Sequence, residues 1–188
     1  MHKLILQTKR LLIRNLKADD LADFHLYRSN PEVTKYQGFD TFSPEQAADF
    51  IREQTGKLFG NPGEWVQYGI ENKETGRLIG DCAIKLDAHD TRLAETGITI
   101  SPREQQKGFA KETLLAILDF LFSRADFHRV TATVDAENTA SIQLLKSAGF
   151  REEGHFIENI FFKGNWGSEY LYAILKSEWL QRKKNTGA

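Results

Sequence analysis

The stretch Gln105-Gln106-Lys107-Gly108-Phe109-Ala110 places a loop with small residues directly before an apolar-periodic segment that begins at Phe109. A loop entering a helix this way can turn bare backbone N–H groups toward an anion. Gly108 and Ala110 carry almost no side chain, so a pyrophosphate can approach the main chain, and the helix adds the positive end of its dipole. Lys107 and Lys111 are its basic neighbours. The loop has neither the three glycines of a dinucleotide fingerprint nor the Gly-Lys-Ser/Thr ending of a phosphate loop, which argues against ordinary nucleotide chemistry. Alone, a glycine near a helix start is also a plain turn, so the context has to decide.

Other reactive groups are sparse. Cys82 is the one cysteine and lies inside the apolar run Leu78–Leu86. No histidine stands at a distance that would activate it, so it reads as a small buried residue rather than a nucleophile. The histidines His2, His25, His89, His128 and His155 lack metal-ligand spacing, so no metal is expected. A single cysteine rules out an internal disulfide and suits a reducing, cytoplasmic setting.

The elements that would hold the loop follow from periodicity. Leu11, Leu12, Ile13 and Leu16 mark a first strand, and Asp19-Asp20 supply carboxylates where a helix over 21–29 would start. Asn30-Pro31 stops it. Ser43-Pro44-Glu45-Gln46 combines a capping serine, proline at the first helical position and a glutamine three residues on, so a second helix runs to about Gly56. Segments 65–71 and 77–86 flank the turn-rich Asn72-Lys73-Glu74-Thr75-Gly76, and Leu93–Ile100 makes a third strand of the meander. Ala110, Leu114, Ile117, Leu118 and Leu121 recur at helical spacing over 109–122. A strand at 130–134, a helix Thr139–Ala148 ended by Gly149, and strands 156–162 and 170–175 joined by Lys163–Gly167 complete the order. The fold class is α+β, and only the tail from Gln181 looks loosely held.

At 188 residues the chain suits a single domain, spanning 1–188 with its core at about 6–179. That length buries roughly 70% of the unfolded surface. Twenty-five Lys plus Arg against 26 Asp plus Glu leave no global field to recruit nucleic acid or an anionic membrane. The start Met1-His2-Lys3-Leu4-Ile5-Leu6 is too short an apolar core for a signal peptide, and no run reaches membrane-spanning length.

Three features recur in order and at the right separations: Gln-x-x-Gly-x-Ala at 105–110, Asn138-x-x-Ser141, and Ala148-Gly149-Phe150 closing the next helix. Together they resemble the GNAT acetyltransferases. Thr8-Lys9-Arg10-Leu11-Leu12-Ile13-Arg14, Asn30-Pro31-Glu32-Val33 and Lys163-Gly164-Asn165-Trp166 resemble the RimJ/RimL type, the ribosomal-protein N-terminal acetyltransferases. The resemblance implies the GNAT fold: a mixed, mostly antiparallel sheet of six to seven strands with about four helices, splayed between strands 4 and 5. It implies acetyl-CoA as co-substrate and direct transfer to a primary amine, with no covalent acyl-enzyme.

On this resemblance the pantetheine arm would run along Ile98, Thr99 and Ile100, beside a parting that a bulge at Gly97 could begin. The pyrophosphate would meet the amides of Gln105, Gln106, Lys107, Gly108, Phe109, Ala110 and Lys111. Asn138 would bind the arm, cap the helix, or do both. Glu95 matches the family's acidic position and is a candidate general base, the alternative being an exposed strand-end charge. Leu145 stands where many relatives carry an acidic tyrosine, leaving Ser141 or a water to protonate the thiolate. Tyr36, Phe39, Trp166 and Tyr170 are candidate walls of the acceptor site, or packing aromatics. The acceptor is a protein N-terminal α-amine or a small amine such as an aminoglycoside, polyamine or amino acid, on a monomer or homodimer. A non-catalytic acyl-CoA-binding module is the remaining alternative.

Overall fold

The computed structural model describes residues 3–186; Met1 and His2, which open the stretch weighed as a leader, lie outside the described residues, as do Gly187 and Ala188. Eight strands form one sheet: β1 Ile5–Gln7, β2 Leu11–Asn15, β3 Trp65–Asn72, β4 Leu78–Leu86, β5 Leu93–Ile100, β6 Arg129–Asp135, β7 Arg151–Phe162 and β8 Asn165–Leu175. Their order is β1-β2-β3-β4-β5-β6-β8-β7. The helices are α1 Leu21–Arg28, α2 Pro31–Thr34, α3 Pro44–Thr55, α4 Phe109–Asp119, α5 Thr139–Ala148 and α6 Lys176–Thr186. β1 and the four-residue α2, which Asn30 caps through the N–H of Glu32, are elements too short for periodicity to reveal.

Neighbouring strands run antiparallel except β5 and β6, which pair in parallel for three positions only, Leu93↔Arg129 to Glu95↔Thr131. Beyond Glu95, β5 stays in register with β4 as far as Gly80↔Ile100, and β6 stays with β8 as far as Asp135↔Glu169. The two strands therefore part, and their facing edges from Thr96 and Ala132 onward are left without strand partners. This is the splay expected between the fourth and fifth predicted strands, displaced by one number because β1 precedes them. The expected bulge at Gly97 is absent: Ala83↔Gly97 lies in an unbroken ladder. Each strand's loyalty to its antiparallel neighbour, rather than a local defect, opens the sheet.

Local chemistry explains the helix ends. Ser43 Oγ accepts the Gln46 N–H at 3.2 Å while Gln46 Oε1 accepts the Ser43 N–H at 2.8 Å, and Pro44 fills the first turn. Gly149 adopts φ 97°, a left-handed conformation that a side chain would oppose, and ends α5. Lys163 and Gly164 both have positive φ, 50° and 83°, and Phe162 pairs with Asn165. The hairpin loop is thus two residues long rather than five, because a turn with two left-handed residues matches strand twist. The tail from Gln181 is helical to Thr186, not loose: Arg182 donates to the Ser147 carbonyl at 2.6 Å and Lys183 pairs with Asp119 at 2.7 Å.

Two apolar clusters lie against the sheet. The larger joins Tyr68, Ile84, Leu114, Ile117, Leu118 and Leu121 beneath α4; the smaller joins Leu16, Phe24, Tyr27, Ala47, Ile51 and Leu78 under α1 and α3. Side chains alternate across a strand, so Asp81 points away from the cluster that holds Cys82 and meets α1 instead. Asp81 is fully buried and accepts from the Tyr27 hydroxyl at 2.6 Å, Arg28 Nε at 3.1 Å and the Gln67 amide. Breaking one side of such a pair strands the other charge. Arg28→Met is therefore expected to cost about 3–5 kcal/mol in urea unfolding, and a loss below about 1 kcal/mol, the range of a surface pair, would contradict that account.

Candidate functional site

The wedge between β5 and β6 opens into a cleft of about 590 Å³. Ile98, Thr99 and Ile100 form its strand wall, Asn138 and Ser141 its α5 wall, and the loop into α4 its end. Every position expected to hold the cofactor lines it except Lys107, whose ammonium turns outward to Glu104 at 3.0 Å. Its expected contribution, the backbone amide, does not depend on where that ammonium points.

The loop's shape follows from its residues. Gln106 and Gly108 both take left-handed backbone, φ 61° and 81°, so the chain doubles back before α4. A Cβ at Gly108 would have only Arg10 Nη2 nearby, at 3.5 Å. The first intrahelical bond is Glu112 N–H to the Gly108 carbonyl, at 3.0 Å. The N–H groups of Phe109, Ala110 and Lys111 precede it and are available to an anion.

A second pocket, about 450 Å³, continues on the other side of the parting. Both cavities share Tyr36, Gln37, Ile98, Thr99, Asn138 and Ser141. At this junction Asn138 Oδ1 accepts the Ser141 N–H at 3.1 Å, capping α5, and its Nδ2 has no partner among the described residues. The Ser141 hydroxyl likewise has no partner among the described residues. Leu145, 6% exposed, lines the second pocket where an acidic tyrosine would have stood. Gly97 leaves open space there.

Of the four expected wall aromatics, the structure brings two to the site. Tyr36 lines both cavities and Phe39 the second. Tyr170 lines neither, pairing with Val134 and stacking on His155 at 4.3 Å on the opposite face. Trp166 lines neither and is 61% exposed, edge-on to Phe161. Strand alternation gives the pocket Glu169 instead of Tyr170. Glu95 is half-buried and does not line the pocket itself; its Oε1 accepts from Thr133 Oγ1 at 3.1 Å, and Thr133 does.

Sequence reasoning missed several residues here. Asp135 and Glu169, like Trp65, line the second pocket. Arg28, anchored on Asp81, donates to Gln37 Oε1, and Gln37 Nε2 donates to Thr99 Oγ1 at 2.8 Å, tying the buried charge to the junction. The available signal was Asp81 itself, a charge interrupting the apolar run Leu78–Leu86. Burial pushes the Cys82 thiol well up, with the Asp81 charge adding to it, so the thiolate is suppressed. Among the described residues no group of His, Cys, Asp and Glu is arranged to hold a metal, and no helix is long and apolar enough to cross a membrane.

A splayed sheet whose opening ends at a helix-capping anion loop defines a class, and the chain belongs to the GNAT acetyltransferase family: the model described as Acetyltransferase (GNAT) domain matches residues 10–151. It is an acetyl-CoA-dependent N-acetyltransferase. The uncharacterized N-acetyltransferase p20 of Bacillus licheniformis is 33% identical over 175 residues, 93% of this chain and 97% of that protein. A GNAT-family acetyltransferase from Bacillus anthracis superposes with a TM-score of 0.83 at 28% identity, covering 93% of this chain and 99% of the other. Spermidine N-acetyltransferase from Vibrio cholerae, in complex with CoA and spermine, superposes with a TM-score of 0.77 at 26% identity, covering 92% and 99%.

Gly108→Glu would force a side chain into left-handed backbone and set a carboxylate at the loop. Coenzyme A affinity, read by titration calorimetry, is expected to fall at least about tenfold with the circular dichroism spectrum unchanged. Equal affinity would contradict the phosphate assignment.

Proposed function

We propose that the larger cleft holds acetyl-CoA, that the second pocket admits a small cationic amine, and that acetyl transfer occurs where the two meet. The observation that carries this reading is the shared lining at Ile98, Thr99, Asn138 and Ser141. The pantetheine amides would pair with the unpartnered edge of β5 and with Asn138 Nδ2. The diphosphate would sit on the amides that open α4.

An aliphatic amine is protonated at neutral pH, since lysine's reference pKa is about 10.4, so a base must take a proton before attack. Glu95, through Thr133 or an ordered water, is assigned that role. The amine lone pair then forms the C–N bond at the thioester carbonyl. Backbone N–H groups of alternate residues in the Thr96–Ile100 edge are positioned to stabilise the oxyanion. Collapse breaks the C–S bond, and the second proton of the attacking nitrogen passes through Ser141 Oγ or a water to the departing thiolate, so that the serine ends as it began. No group on the protein is acylated.

Asp135 and Glu169 favour a positively charged acceptor, and Trp65 and Phe39 suit its aliphatic portion. The Vibrio cholerae spermidine N-acetyltransferase, crystallised with spermine, supports a small amine. The second reading is a protein N-terminal α-amine, favoured by the RimJ/RimL-like pattern at 8–14, 30–33 and 163–166. A panel of polyamines, aminoglycosides, amino acids and peptides, scored by release of the coenzyme A thiol, separates the two. Binding of acetyl-CoA with no thiol release by any amine would instead support a non-catalytic module.

Glu95→Gln with Ser141→Ala is expected to lower kcat by about 10²-fold or more while coenzyme A affinity stays nearly intact; unchanged turnover would remove both from the mechanism. Asp135→Asn with Glu169→Gln is expected to raise the KM of the preferred amine about tenfold with little change in kcat. An unchanged KM would move the acceptor elsewhere.

A further inference from the structure

The anion loop contains a contradiction that the proposed function leaves unexplained. Glu112 lies in the first turn of α4, on the helix whose N-terminus would face a diphosphate, and a carboxylate there opposes the binding of phosphate. The N-terminal hairpin cancels it. Thr8 Oγ1 and the Arg10 N–H donate to Glu112 Oε1 at 2.5 and 3.1 Å, and Arg10 Nε and Nη2 reach Oε2 at 2.7 and 2.6 Å. All four lone-pair sites of the carboxylate are thereby engaged. Burial alone would raise the Glu112 carboxyl; the bonds from Thr8 and Arg10 outweigh it and hold the group below its ordinary range.

The same guanidinium also fastens the loop. Arg10 Nη1 donates to the Lys107 carbonyl at 3.0 Å, and its Cζ lies 4.4 Å from the centre of the Phe109 ring. Lys107 and Phe109 flank the left-handed Gly108, so Arg10 holds both sides of the turn. Arg10 is itself held, its carbonyl accepting the Lys73 N–H at 2.9 Å.

We propose that Arg10, with Thr8, is a positioning residue for acetyl-CoA: it sequesters the Glu112 carboxylate from the diphosphate and fixes the loop from Lys107 to Phe109 in its anion-binding shape. The proposal rests on the reading of this cleft as the acetyl-CoA site. It departs from treating the N-terminal Thr-x-Arg as a strand-start pattern, since residues about a hundred positions away in sequence set the electrostatics of the loop.

The test is coenzyme A binding by titration calorimetry with steady-state kinetics on the full-length enzyme. Arg10→Gln is expected to weaken coenzyme A about tenfold at low ionic strength, less at high salt, with kcat at saturating acetyl-CoA changed less than about twofold. Adding Glu112→Gln to that variant is expected to return affinity to within about threefold of the parent, because the exposed charge is then gone. A purely structural contact would show no such rescue. Binding by Arg10→Gln within about twofold of the parent, or a double variant no better than the single one, would overturn the proposal. Should Arg10→Gln fail to fold, Glu112→Gln alone decides: parental or tighter binding supports the proposal, and a tenfold loss overturns it. Gly108→Glu distinguishes the underlying reading, since undiminished coenzyme A binding there would remove the loop assignment itself, whereas loss there with none in Arg10→Gln removes only the Arg10 role.

Discussion

Everything about this site depends on β5 and β6 pairing for three positions and then separating. A parallel pair is slightly weaker per residue than an antiparallel one, and here each strand already has an antiparallel partner, β4 from Ala94 to Ile100 and β8 from Arg129 to Asp135. The sheet therefore divides where the weaker pairing can be given up. The consequence is two strand edges inside a protein, which normally would be a liability. Buried backbone N–H and C=O groups need partners, so an opened edge calls for a ligand with amides of its own.

Two further constraints turn the opening into a site. The left-handed residues before α4 shape the loop that closes its far end, and α5 brings Asn138 and Ser141 to the middle. On the opposite face, Asp81 and Arg28 lock α1 to β4 and, through Gln37, reach Thr99 at the junction. Burying such a pair is weak evidence for net stability, because desolvation offsets much of the attraction. Its geometric effect is clearer: the helical layer carrying Tyr36 and Gln37 is held in one position against the strand that carries the opening.

The order and type of most elements were legible because they rest on local rules. The capping box at Ser43–Gln46, the glycine that ends α5 and the helical periodicity after Phe109 need no distant partner to be recognised. Misjudgements came where packing, not propensity, decides. The Lys163–Gly167 connection reads as five residues because glycine and asparagine favour turns, yet only Lys163 and Gly164 leave the ladder. The tail from Gln181 is polar, but its arginine and lysine find partners on α5 and α4.

What the sequence determined by itself was the chemistry-bearing segment: a small-residue loop at a helix start, followed at fixed spacing by an asparagine cap and a serine one turn on. Those are properties of adjacent residues and survive without knowledge of the fold. Only the tertiary structure decided which face each strand residue occupies and which distant charges meet. It chose Glu169 over Tyr170 for the second pocket, left Glu95 behind Thr133, and brought Arg10 onto Glu112. The reason is that a strand exchanges faces at every residue, and long-range pairing depends on the register of neighbours that no local pattern encodes.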